Sequence, residues 1–155
     1  MKRAITYLLS LTLFMGLISC EEDSLNFIAK PDPEGISFEN SFQSEYLLSE
    51  ETETNIAERF LWNSVNFDAP VNISYDLRAS TDPDFTTSEI IGTTSSTNQS
   101  VTIAQLISFA EELGLDDDPE TTGDDNLPNN TGEVYFQVHA YSGTGAANSV
   151  DVVSE

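Results

Sequence analysis

The sequence predicts an all-β protein, an antiparallel β-sandwich of the immunoglobulin or fibronectin-III-like kind carrying one short helix. Three observations lead there. Val71, Ile73, Tyr75, Leu77 and Ala79 alternate with Asn72, Ser74, Asp76 and Arg78, the period of a strand with one face buried. Short strand-like runs recur on both sides of it, separated by turn residues. The only cysteine is Cys20, so no disulfide can join the two sheets, which favours the fibronectin-like variety.

The chain opens on a different signal. Lys2 and Arg3 precede an apolar stretch from Ala4 to Ile18 that closes in Leu17-Ile18-Ser19-Cys20. A basic start, a short apolar run and a small residue before the cut make residues 1–19 a secretory signal peptide. The run is shorter than the ~20 apolar residues that cross a bilayer as a helix. Leu-Ile-Ser-Cys resembles the bacterial lipobox, which makes Cys20 the lipidation site and the link to the membrane. A lone thiol at this boundary fits an anchor better than a disulfide. Residues 20–35, acidic and holding Pro31 and Pro33, read as a lipidated flexible tether, and residues 36–155 as the sandwich.

Within the sandwich, Ile36-Ser37-Phe38 is either a short strand or the last of the tether. Glu45 to Ser49 reads as a first full strand. Ala57 to Trp62 follows, placing Phe60 and Trp62 on one face and Trp62 in the core. After Pro70, which keeps Ala69 extended or in a turn, comes the alternating strand 71–79. Ser80 to Asp84 is a turn, and Phe85 to Thr93 holds another strand around Ile90 and Ile91. Then the period changes. Thr102 stands three residues before Gln105, the spacing of a capping box. Ile103, Leu106, Ile107 and Ala110 share one helical face, and Gly114 stands where a helix ends. A helix over 103–113 results. Residues 116–132 form a long polar loop. Glu133 to Tyr141 resumes the strand pattern, with Val134, Phe136, Val138 and Ala140 on one face and Tyr135, Gln137, His139 and Tyr141 on the other. Ser142 to Asn148 is a glycine- and alanine-rich turn, after which Val150, Val152 and Val153 follow. The closing strand is expected to begin at Ser154-Glu155, so the sandwich lacks its last strand and the chain is a piece of a longer protein.

Charge narrows the function. Beyond Cys20 only Lys30, Arg59 and Arg78 stand against 27 acidic residues. That balance repels phosphates, so nucleic acid is excluded as a partner. Catalysis finds no support either. His139 is the only histidine, there is no Gly-x-Ser-x-Gly elbow or glycine-rich phosphate loop, and no spacing singles out a carboxylate pair. The protein is read as a non-enzyme without a cofactor. One acidic loop is a candidate calcium site, because Asp116, Asp118, Glu120, Asp124 and Asn126 offer the oxygen ligands that cation takes. Its spacing lacks the EF-hand pattern and Pro119 interrupts it, which favours a solvated loop. Tyr135, His139 and Tyr141, on the outward face of their strand, are the candidate surface contact for a glycan or a protein.

The lipobox ending at Cys20, Tyr46-Leu47-Leu48-Ser49, Phe60-Leu61-Trp62 with Phe67, Val71 to Leu77 leading to Asp82 and Phe85, Val101 to Leu115, and Val134 to Ala140 occur in an order that resembles one family. It is the SusE-type outer-membrane lipoproteins of glycan-foraging bacteria, in their amino-terminal domain. The resemblance implies a surface-exposed, lipid-anchored sandwich serving polysaccharide binding and uptake, of starch or another glycan, beside an outer-membrane transporter complex. It also implies that glycan binding resides mainly in later carbohydrate-binding domains, which leaves this domain as tether, spacer and glycan-binding accessory. Glu21, Glu22 and Asp23 resemble the surface-export signal of such lipoproteins. The alternative is a structural adhesin or spacer that touches no glycan.

Overall fold

The computed structural model describes residues 27–118, 120–123, 128–143 and 149–155. Two antiparallel sheets face each other. The smaller pairs β1 (Ile56–Leu61) with β4 (Asn98–Thr102), Phe60 opposite Gln99. The larger has the order β3-β2-β5-β6, formed by β2 (Ser74–Ser80), β3 (Glu89–Thr94), β5 (Tyr135–Ser142) and β6 (Val150–Val153). Among the described residues one α-helix, α1 (Ile103–Glu112), joins β4 to the long loop before β5. This is the predicted all-β sandwich with one short helix.

Alternation decides what lies between the sheets. In β2 the residues Tyr75, Leu77 and Ala79 are buried, and across the ladder they meet Ala140, Val138 and Phe136 of β5. Phe60, Trp62 and Val101 come from the smaller sheet and Leu106 from α1. Phe60 and Phe136 touch between the sheets with ring centroids 4.5 Å apart, and Trp62 lies 5.7 Å from Tyr75. Each fully buried side chain of this size contributes about 1.5–3 kcal/mol through removal from water.

The helix begins and ends as its residues dictate. Gln105 Oε1 accepts the Thr102 amide at 3.0 Å, and the Gln105 amide donates to Thr102 Oγ1 at 3.4 Å. The same Gln105 side chain also donates to the Ile91 carbonyl at 3.2 Å, tying the helix to β3. At the other end Gly114, with φ +69, takes the left-handed turn. The Leu115 amide then reaches the Ala110 carbonyl and the Gly114 amide the Glu111 carbonyl, which satisfies two carbonyls a helix end leaves open.

Several expectations change. Glu45 to Ser49 is not a strand, and Leu47 is 95% exposed. The outer edge of β1 is already taken: Phe38 bridges Trp62, the Glu39 amide donates to Leu61, and Asn40 bonds both the Arg59 carbonyl and the Leu61 amide. The strand expected around Ile90 and Ile91 is β3, which starts at Glu89. Phe85 has φ +50, and the Asp82 carboxylate holds the amides of Asp84 and Thr86 and the Thr86 hydroxyl, which prolongs the turn. Strand β4 has no expectation behind it, because Asn98, Gln99 and Ser100 show no apolar alternation and only Val101 is fully buried. Before Ser154, where a closing strand is expected to begin, β6 pairs Val153 with His139 and Val150 with Ser142. Ser154 ends that ladder: its amide donates to the Val138 carbonyl at 2.9 Å and its Oγ accepts the Val138 amide at 3.0 Å.

The stretch before the sandwich is partly fixed to it. The Lys30 amide donates to the Phe67 carbonyl at 2.9 Å, Asp32 Oδ2 accepts the Asn66 amide at 2.7 Å, and Asn63 bonds both Ser37 and Gly35. Ala29 packs on the core and Ile36 is buried in it.

Candidate functional site

The outward face of the larger sheet carries the richest cluster of polar side chains. Because Tyr75, Leu77, Val138 and Ala140 point inward, their neighbours Asp76, Arg78, Gln137, His139 and Tyr141 stand on the other face. Pairing sets Asp76 opposite His139 and, on the far side, Thr93; Tyr141 lies opposite Asp151 of β6. Four strands thus deliver one row of groups.

Their bonds fix each orientation. Arg78 Nη2 lies 2.6 Å from His139 Nδ1. Arginine has only donors, so Nδ1 accepts and the ring proton sits on Nε2. That proton is directed at Asp151 Oδ2, 3.1 Å away. His139 also stacks on Tyr141 with centroids 5.1 Å apart and planes 22° from parallel. Asp76 is only 6% exposed although it belongs to the outward face. Its Oδ1 accepts the Thr93 hydroxyl at 2.6 Å and, more weakly, the Tyr141 hydroxyl at 3.5 Å, while Oδ2 faces His139 Nδ1 at 4.0 Å. A hollow of about 290 Å³ opens beside this row, lined by Asp76, His139, Tyr141, Gly143, Val150 and Asp151 together with Ser149. Gly143 has φ +83, the left-handed region, while a Cβ there would meet Ser149 at ordinary contact distance. Glycine takes that turn without strain.

Of the three outward residues expected from the sequence, the structure brings His139 and Tyr141 together and leaves Tyr135 apart. Tyr135 is four residues along β5, ~13 Å away at strand rise, opposite Ser80, with its hydroxyl on Glu133 at 2.7 Å. That bond, first, and then burial raise the Tyr135 hydroxyl above its usual pKa. Asp76, Arg78 and Asp151 complete the cluster without having been singled out. The signal for the first two lay in the strand pattern, as polar residues on the same face as His139; Asp151 needed the β5–β6 pairing.

The described part of the acidic loop bonds chiefly within itself. Asp116 accepts the Thr121 hydroxyl at 2.8 and 2.7 Å, the Asp118 amide at 3.0 Å and the Asn129 side-chain amide at 3.1 Å. Thr121 foremost, with those amides, holds the Asp116 carboxyl below the usual carboxylate range. Asp118 likewise accepts the Glu120 amide at 2.9 Å. These oxygens organise turns. Among the described residues no group of three or more His, Cys, Asp or Glu side chains is placed to hold a metal. Asp124 and Asn126 lie outside the described residues, as do Cys20, Glu21, Glu22, Asp23 and the signal peptide. Trp62, expected in the core, is buried there.

The chain is similar to known proteins in one comparison. Residues 21–139 match the model of a family described as SusE, the SusE outer membrane protein. No curated protein and no solved structure matches. The matched stretch holds Asp76, Arg78 and His139 and stops short of Tyr141 and Asp151.

Proposed function

Since the chain belongs to the SusE outer membrane protein family and is an outer-membrane protein of a Sus-type system, we propose that it works there as a lipid-anchored display domain. Its task is tethering and docking rather than turnover, in a system that binds and imports polysaccharide. The family match carries this reading, and two features support it. Cys20, at the end of a lipobox, stands immediately before the first matched residue. An acylated cysteine with two or more chains holds a protein stably to a membrane, whereas one chain gives only marginal binding. In this reading Glu21, Glu22 and Asp23 direct the anchored protein to the cell surface, next to an outer-membrane glycan transporter.

Two variants test the anchor and the address. Cys20→Ala is expected to release the protein from the membrane fraction, and retention of the variant in outer membranes would count against acylation. Replacing Glu21, Glu22 and Asp23 by alanine is expected to leave the protein membrane-bound but hidden from protease added to whole cells. An adhesin or spacer with no glycan contact is the second reading. Retardation of the protein in native gels containing starch or other polysaccharides separates the two.

A further inference from the structure

Between the pairing at Phe38 to Asn40 and the start of β1, the backbone is left open. From Ser41 to Ser49 the chain forms neither helix nor strand, and the amides and carbonyls of Ser44 to Leu48 bond to no other described residue. Leu47 is 95% exposed and Leu48 37%. The segment is nevertheless held at both ends. The Phe42 ring packs on Phe38 and Phe60 with centroids 5.3 and 4.8 Å apart, the Tyr46 hydroxyl donates to Glu58 at 2.6 Å, and Ser49 caps the short turn Glu50–Thr52. A protease binds its substrate as an extended strand, through backbone groups on both sides of the cut, with one side chain in a pocket. Leu47 offers both the free backbone and the free side chain.

Among the described residues beyond Lys30, the other exposed large apolar side chains lack that combination. Ile56, Leu61, Ile90 and Val153 lie in paired strands. The Leu113 amide is bonded to Phe109 and the Val71 amide to Ala69, and the Phe42 ring is packed. The basic residues are closed as well. Beyond Cys20 they are Lys30, Arg59 and Arg78. Pro31 follows Lys30 and lacks the amide that a trypsin-like enzyme needs there. Arg59 is covered on both edges, by Asn40 on its carbonyl and by Ser100 of β4, and the buried Phe60 follows it. Arg78 lies in β2 between β3 and β5, and Ala79 after it is fully buried.

We infer that the Leu47–Leu48 bond is a proteolytic modification site, read by a protease that takes a large apolar residue before the cut, and that the cleaved protein stays assembled. Water adds across the bond: the Leu47 carbonyl takes the hydroxyl, the Leu48 nitrogen takes the hydrogen, and the two new ends ionise as carboxylate and ammonium. The short piece ending at Leu47 remains laced to the sandwich. Ile36 is buried in the core, and the Glu39 amide donates to the Leu61 carbonyl at 2.8 Å. Asn40 bonds the Arg59 carbonyl at 3.0 Å and the Leu61 amide at 2.9 Å, and Asn63 Oδ1 accepts the Ser37 amide at 2.7 Å. With Cys20 acylated as proposed above, the cut leaves the lipid on the short piece and turns a covalent leash into a noncovalent one. That consequence rests on the anchor; the cleavage site does not.

The test digests the full chain in detergent with chymotrypsin and, in parallel, with trypsin, and weighs the fragments by mass spectrometry. Chymotrypsin should make its first cut beyond Lys30 after Leu47. Arg59 and Arg78 open only on unfolding, and a stable domain is unfolded about 10⁻³ of the time or less, so trypsin should be roughly 10³-fold slower or more. Leu47→Asp combined with Leu48→Asp, both at exposed side chains, should bring chymotrypsin down to that background. After the cut the two pieces should run as one species on gel filtration and part only in urea. A first chymotryptic cut anywhere else beyond Lys30 would overturn the inference. So would trypsin cutting as fast as chymotrypsin, an unaltered rate in the double variant, or separation of the pieces without urea. None of these outcomes bears on the anchor, which Cys20→Ala tests by fractionation.

Discussion

Ser154→Ala removes one hydroxyl at the edge of the core, and it should still cost the fold measurably. Ser154 is 2% exposed and Val138, its partner, is fully buried. In the regular ladder a backbone carbonyl would accept the Val138 amide; here Ser154 Oγ does so at 3.0 Å. Alanine keeps the Ser154 amide on the Val138 carbonyl but orphans the Val138 amide in the interior. Leaving a buried donor unpaired costs about 1–3 kcal/mol, and the missing hydroxyl leaves a void smaller than a water. With a urea m-value of about 1–3 kcal/mol/M for a domain of this size, the unfolding midpoint should fall by roughly 1 M. Trp62, the sole tryptophan and 1% exposed, reports unfolding by fluorescence. Hydrogen exchange adds a local readout, because the Val138 amide should lose protection while that of Leu77, across the ladder, keeps it. Val153→Ala, at a 43% exposed neighbour, is the control and should change little. A loss under about 0.5 kcal/mol with unaltered Val138 exchange would refute the reasoning and mean that another acceptor serves that amide.

Two further outcomes follow from bonds on the page. Burial, followed by the hydrogen bond to Glu58 at 2.6 Å, pushes the Tyr46 phenol up to about 12 from 10.0. Its contribution is therefore complete below pH 10 and is lost as pH rises through 12; urea midpoints measured across that window should fall in the native protein by the equivalent of about 1 kcal/mol, discounted for solvent at a half-exposed group, and Tyr46→Phe should remove that part of the slope. Gln105→Ala removes both the capping bond to the Thr102 amide and the strut to the Ile91 carbonyl, so thermal unfolding should reveal a loss of about 1–2 kcal/mol, whereas Ser108→Ala on the exposed side of α1 should be nearly neutral.

Local patterns carried most of the fold. The alternation through Tyr75, Leu77 and Ala79, its counterpart through Phe136, Val138 and Ala140, and the Thr102–Gln105 spacing all depend on residues close in sequence, and each fixed its element. What escaped depended on distant partners. Tyr46 to Ser49 has strand-forming residues, yet no edge remains for it once Phe38 to Asn40 cover β1. Residues 98–102 are mostly polar and become a strand because β1 needs a neighbour there. The site divides the same way. His139 and Tyr141 are legible as one strand face, and Asp76 becomes a buried acceptor only through Thr93 and Tyr141 from two other strands. Asp151 joins through the β5–β6 pairing, which no local pattern announces.

The bonds that hold Lys30 to Phe67 and Asp32 to Asn66 set the radius within which the sandwich can work. Lys30 stands ten residues on from Cys20, and a chain extends by at most ~3.3–3.6 Å per residue, so the first fixed point lies within about 35 Å of the lipidation site. With Cys20 in the bilayer as proposed, the sandwich is confined to a hemisphere little deeper than the hydrocarbon core is thick. One molecule in that volume has a local concentration on the order of 10 mM. A membrane neighbour standing beside the anchor would therefore hold this domain for much of the time through a contact with only a millimolar dissociation constant, and would lose it if the leash were lengthened severalfold.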